Sequence, residues 1–186
     1  MMKKLIIAII GILIVSIGSA GLLQYYGKIV GNVNVQPPVF YASKDSISSN
    51  LYSLQINQKP QSEDTITITD GNSVYFITGE IGVTSFYKGN WHFYIKGKAN
   101  SGSSTTLWLE FYVPQDATNY WVQKVKICEP ISLSIGIDEK VYDVINTNCS
   151  RLSNLSPSDR FVWKITGPVN ISITSNGETR IEVTLA

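Results

Sequence analysis

The chain has 186 residues, with 15 Lys plus Arg against 14 Asp plus Glu, and only 16% of its residues are charged. A formal charge of +1 leaves no electrostatic footprint for nucleic acid and no basic patch for anionic lipid. That charged fraction is below the usual quarter, and surfaces of this kind are often covered by sugar or by neighbouring subunits.

Met1-Met2-Lys3-Lys4 reads as a short positive n-region, and the apolar run Leu5 to Ile17 is broken only by Gly11 and Ser16. Gly18-Ser19-Ala20 then offers a small-x-small cleavage site, so residues 1–20 are expected to be a signal peptide and Gly21 the first mature residue. Removing Lys3 and Lys4 would leave 13 basic residues (15 − 2) against 14 acidic ones. An uncut membrane anchor is the alternative, because apolar character continues weakly through Gly21-Leu22-Leu23. That stretch barely reaches the ~20 apolar residues a span needs, so no stable membrane anchor is expected after cleavage. A pilin-type leader, cut before the apolar run, fits poorly with the early arrival of Tyr25-Tyr26-Gly27.

Residues 21–38 form a distinct segment. Leu23, Tyr25, Ile29, Val33 and Val35 share one parity, completed by Gly27 and Gly31, with Gln24, Lys28, Asn32, Asn34 and Gln36 opposite. Leu22, Tyr26 and Val30 interrupt the alternation, yet the whole predicts a long strand with one apolar face and no internal turn. Pro37-Pro38 ends it, since neither residue can donate to a ladder and the pair stiffens the joint as a hinge. Burying five such side chains stabilises by about 10 kcal/mol gross. Ordering the backbone costs about 1–2 kcal/mol per residue, so the strand needs ladder partners as well as a cover. The chain's own sheet could supply both. The rigid Pro-Pro joint instead favours projection into a neighbouring molecule, a strand addition that is head-to-tail and generates an open homopolymer of identical subunits.

The stretch Ser19-Ala20-Gly21-Leu22-Leu23-Gln24-Tyr25-Tyr26-Gly27-Lys28-Ile29-Val30-Gly31-Asn32-Val33-Asn34-Val35-Gln36 resembles the TasA/camelysin-type biofilm-matrix proteins, especially their archaeal relatives that form bundling pili or threads. In those proteins a signal peptide runs directly into a small-Leu-Leu-x-Tyr-Tyr/Phe-Gly segment and an alternating Val strand, followed by a jelly roll. The resemblance implies an exported subunit of an extracellular filament whose N-terminal strand completes the sheet of its neighbour. It covers under a fifth of the chain. Camelysin-type members have been described as proteases, but the HExxH metal signature is absent here, which argues against a peptidase.

From Val39 onward the chain reads as short strands with turn punctuation. Thr65 to Thr69 and Val74 to Thr78, separated by Asp70-Gly71-Asn72, predict a hairpin. Trp91 to Ile95 follows the turn Lys88-Gly89-Asn90, and Thr106 to Val113 stops at Pro114. Val122 to Cys128, Ile131 to Ile137, Val141 to Ile145, Phe161 to Ile165, Val169 to Thr174 and Arg180 to Leu185 complete about ten strands. The expected fold is therefore all-β, one jelly-roll-like β-sandwich over residues 39–186.

Cys128 and Cys149 are the only two cysteines, an even pair that reads as one disulfide in an exported chain. Asn148, Asn154 and Asn170 open N-x-Ser triplets and are the candidate glycosylation sites, Asn154 the poorest because Pro157 follows its triplet directly.

Nothing here points to an enzyme, and no cofactor is expected. His92 is the sole histidine, too few for a usual zinc site, and no Gly-x-Ser-x-Gly elbow occurs. Asp138-Glu139 reads as a solvated turn pair, and Asp64, Asp70, Asp116 and Asp159 as turn residues. Trp91, Trp108, Trp121 and Trp163 lie in or beside strands, where packing is the ordinary role of an aromatic. A row of them exposed on one face would instead make the protein a cell-surface module that binds glycans or another surface protein.

Overall fold

A computed structural model describes residues 37–86, 89–100 and 102–185. The alternating Leu23, Tyr25, Ile29, Val33 and Val35 and the signal segment lie outside them. Among the described residues there are fourteen strands. They are β1 (Val39–Ser48), β2 (Leu51–Ile56), β3 (Asp64–Ile68), β4 (Ser73–Ile77), β5 (Ser85–Phe86), β6 (Gly89–Ala99) and β7 (Thr105–Pro114). Then come β8 (Gln123–Lys126), β9 (Ile131–Ile135), β10 (Lys140–Asn146), β11 (Leu152–Ser153), β12 (Val162–Thr166), β13 (Val169–Ile173) and β14 (Arg180–Leu185).

The strands make the two layers of a β-sandwich. In one layer β6 is central: β10 runs along one side of it, while β14 and β13 follow one another along the other. β1 then flanks β14, and β3 flanks β13. The other layer runs β2, β4, β12, β7, with β8 and β9 sharing the far side of β7. The β1–β2 ladder joins the layers, and its register shifts between Ala42 and Ser48 mark where the pairing bends from one to the other. Pairing of β2 with β4 is parallel, a departure from the antiparallel order of a jelly roll.

Ring contacts locate the core. Trp91 and Phe93 of β6 lie 5.1 and 6.4 Å from Phe111 of β7, and Phe93 lies 6.0 Å from Trp163 of β12. β6 shares no ladder with β7 or β12, so these rings meet face to face between the layers. Phe86, carried by the small β5–β11 pair, packs on Phe40, Trp91 and Phe161.

The hairpin expected from Thr65 to Thr78 is not formed. β3 pairs with β13 and β4 with β12 and β2, so the turn at Thr69–Asn72 crosses from layer to layer. The reason is burial: Ile66 and Ile68 on one strand, and Val74 and Phe76 on the other, all point into the same core. Two strands stacked across a core form an arch, whereas hairpin partners lie side by side in one layer. Two strands not singled out in the sequence, β1 and β2, supply Phe40, Ala42 and Leu54 to that core.

Candidate functional site

Among the described residues chemistry beyond packing lies at the seam between the layers, on the outer faces of the β7 and β6 layers, and at one end of the sandwich.

The seam is where β9, on the edge of one layer, faces β10 on the edge of the other. Cys128 and Cys149 are disulfide-bonded across it, as expected from the sequence. Ile127 and Cys128 donate to Phe111 O, Glu129 donates to Asn148 O, and Ser150 donates to Ile127 O, so this short bridge ties β7 to the segment after β10. Between the disulfide and the turn at 136–139, β10 pairs with β6 and, among the described residues, with no strand on its other side. Ile131, Tyr142 and Val144 there are only half-buried although they pack on the core. Asn148 lies exposed beside the disulfide.

Pro37 and Pro38 immediately precede β1, whose ladder with β14 begins at Val39 opposite Glu182. Asn57, at φ 56°, pins that point: its Oδ1 accepts from Val39 N at 2.8 Å, and its own N–H donates to Val39 O at 2.7 Å.

On the outer face of the β7 layer, Leu51, Ile77, Tyr112 and Val162 form a second small apolar cluster, covered by Tyr75 and Tyr120. The cover is the loop after β7, which Asp116 organises. Its Oδ1 accepts from the backbone of Thr118 and Asn119 and from Thr118 Oγ1, and its Oδ2 accepts from Asn119 Nδ2. Those bonds, the Thr118 and Asn119 side chains first, hold the Asp116 carboxyl well below the usual carboxylate range. The Tyr112 hydroxyl donates to Tyr120 O at 2.9 Å, and burial pushes its phenol far above its ordinary pKa. The loop presents Trp121, 55% exposed, at 4.9 Å from the Tyr120 ring.

The tryptophans therefore divide. Trp91 and Trp163 are core, while Trp108, also 55% exposed, stands on the outer face of the β7 layer beyond the Lys164–Glu110 ion pair. Beside Trp108, at one end of the sandwich, lies an open groove of about 810 Å³. Its walls are the turn after β3, the start of β7 and the turn between β12 and β13. These walls are bonded to one another. Ser73 Oγ and Thr166 Oγ1 share a 2.7 Å hydrogen bond, Gly167 N–H donates to Asn72 O, and Thr67 Oγ1 donates to Asn170 Oδ1 at 2.9 Å. Gly167 takes φ 130°, and a Cβ there would run into Leu107 and Thr106 O, so this turn needs glycine to close on β7. The candidate sequon Asn170 is thus part of a groove wall, half-buried, whereas Asn154 is an exposed loop residue at φ 63°.

His92 lies on the outer face of the β6 layer, its ring stacked on Tyr94 at 6.1 Å. Burial first, then Glu182, raises the Tyr94 phenol above its ordinary value, and the Arg180 guanidinium sits 4.1 Å over its ring. Next to it Lys96 Nζ and Glu178 Oε2 pair at 2.8 Å, with Thr174 Oγ1 also donating to Glu178. The Lys96 bond holds the Glu178 carboxyl low, and Glu178 in turn raises the Lys96 ammonium, with Glu139 and Glu63 adding to that field. A carboxyl held low stabilises the fold above its unfolded value, about pH 4.3, and loses that contribution as the pH falls through its folded value. An ammonium held high contributes below about pH 10.4 and loses it as the pH rises further. The stability difference between the wild type and Lys96→Met is therefore expected to be flat from pH 6 to 9 and to shrink below about pH 4. Urea unfolding across that range measures it; a difference that keeps its full size at pH 3 removes the pair as its cause. No group of three or more His, Cys, Asp or Glu placed to hold a metal occurs among the described residues.

The fold and these surfaces define an all-β sandwich with a disulfide-closed seam. No protein-family model and no curated protein sequence matches the chain. Among solved structures it is similar to an α-amino acid ester hydrolase labelled with selenomethionine, with 8% identity and a TM-score of 0.55 over 81% of this chain. The match spans 36% of that enzyme's chain and carries the likeness of fold alone.

Proposed function

We propose that the protein is the structural subunit of an extracellular filament, of the kind its N-terminal segment resembles, polymerising head to tail by adding the strand of residues 21–36 to the sandwich of the next subunit. The observation that carries this reading is the open seam. Among the described residues β10 offers a seven-residue edge with its backbone paired on one side, beside core side chains of Ile131, Tyr142 and Val144 that are half-buried. A long strand with one apolar face has the chemistry such an edge lacks, hydrogen-bond partners along one side and an apolar cover beneath. The Pro-Pro joint, directly before a pinned β1, gives that strand a fixed point of departure. The disulfide and the sequons agree with an oxidising, exported setting. In this function the protein is not an enzyme.

Electron microscopy of the chain from residue 21, beside one that starts at Val39, tests the proposal. Filaments are expected from the longer chain alone, and Ile29→Asp or Val33→Asp should abolish them while leaving the melting temperature of the sandwich unchanged. Undiminished filaments from those variants, or a monomer from both chains, would sink it. A second reading, a monomeric cell-surface module that binds glycans or a surface protein, draws on the exposure of Trp108 on the outer face of the β7 layer.

A further inference from the structure

We propose that the groove beside Trp108 is a binding site for a neutral saccharide, with one sugar ring stacked on the exposed indole. A pyranose presents an apolar C–H face and a rim of hydroxyls, so its site needs a flat aromatic surface bordered by hydrogen-bonding groups. Trp108 supplies the surface. It sits outward on a strand, fixed in register between Thr166 and Ser132, and leaves more than half of its area uncovered.

The border is polar and available. Asp70, Thr105 and Thr106 line the groove, and among the described residues their side chains have no hydrogen-bond partner, while Asn170 and Thr67 are already bonded to each other in the wall. A carboxylate is acceptor-only and takes two adjacent sugar hydroxyls, and each threonine hydroxyl both donates and accepts. The volume, about 810 Å³, suits a ligand of several rings.

Charge sets the class. Among the described residues no Lys or Arg lines the groove and its one charged residue is Asp70, which disfavours phosphate, sulfated sugars and uronic acids. The groove is open to solvent and gives an apolar ligand too little cover. Trp121 is equally exposed, but it stands on a loop outside the groove and serves as the internal control.

Such a saccharide has two sources, free polysaccharide or the N-linked glycan of another copy, and calorimetry with three probes separates them. The full chain, made in a host that adds no N-glycans, is titrated with mannohexaose, cellohexaose and an asparagine-linked Man3GlcNAc2 core. Binding of at least one probe is expected, weakened about tenfold or more in Trp108→Ala, largely kept in Trp108→Phe, and unchanged in Trp121→Ala. Heat from a hexaose assigns the groove to free polysaccharide, and heat from the core glycan alone assigns it to a glycosylated neighbour. Absence of binding to all three probes, or full binding by a Trp108→Ala protein that melts like the wild type, overturns the proposal.

Discussion

Replacing Trp91 by alanine is expected to lower the unfolding free energy by about 3–5 kcal/mol, the usual cost of emptying a large aromatic from a core. The ring is fully buried and touches three others, Phe40 at 6.1 Å, Phe86 at 5.6 Å and Phe111 at 5.1 Å. These belong to three different strands, one in each layer and one in the small β5–β11 pair, so the cavity has no single neighbour able to collapse into it. A domain of this size is stable by about 5–15 kcal/mol in all, so the variant would be near its limit at ordinary temperature. Trp91→Phe separates packing from polarity. Among the described residues the indole Nε1 of Trp91 is buried without a hydrogen-bond partner, and phenylalanine deletes that donor while keeping most of the ring. Relief of the donor, about 1–3 kcal/mol, offsets much of the smaller cavity, and a net change within about 1 kcal/mol is expected. Trp108→Ala, on the outer face, should change stability by no more than about 0.5 kcal/mol. Chemical denaturation of the three variants measures the ordering. A cost below 1 kcal/mol for Trp91→Ala would mean that the layers do not close over this cluster.

That division among the tryptophans was partly readable in the sequence. In Thr106 to Val113 the aliphatic and Phe residues Leu107, Leu109, Phe111 and Val113 share one parity, which leaves Trp108 on the other, and strands keep strict parity. The same alternation made β6, β7, β12 and β14 legible, and the cysteine pair announced the disulfide. β1 was harder, because its apolar residues Val39, Phe40 and Ala42 are followed by the polar stretch Ser43 to Ser46, and its place is set by pairing to β14 and β2. The arch at Asp70-Gly71-Asn72 shows a second limit. A turn signal says that the chain reverses, whereas burial of Ile66 and Phe76 in a common core decides whether the two strands lie side by side or face to face. The groove is less legible still. It gathers residues near positions 70, 105 and 170, and no local pattern joins segments that far apart. For the extension, by contrast, the sequence is the source of the assembly proposal, because residues 21–36 lie outside the described residues.

Removing the disulfide is expected to lower stability by about 3 kcal/mol and the melting temperature by about 6–12 °C, for a crosslink closing a loop of this length in a domain of this size. Cys128 and Cys149 are 21 residues apart, and the loop they close contains β9, a short turn and β10. Those two strands are neighbours in sequence yet pair with opposite layers, β9 with β7 and β10 with β6. Without the crosslink, the seam keeps the backbone bonds around Ile127 and Glu129, the turn, and the half-buried Ile131, Tyr142 and Val144. Opening should therefore begin there. Hydrogen exchange of the Cys128→Ser/Cys149→Ser protein is expected to show faster exchange in β9 and β10 than in β12, which is flanked by strands on both sides. The two measurements together locate the effect. A lower melting temperature with uniform acceleration would place the stabilisation in the unfolded chain alone, whereas acceleration confined to β9 and β10 makes the disulfide the clasp of the seam. A variant that melts within about 2 °C of the wild type would mean that the bridge at Ile127–Glu129 holds the layers together unaided.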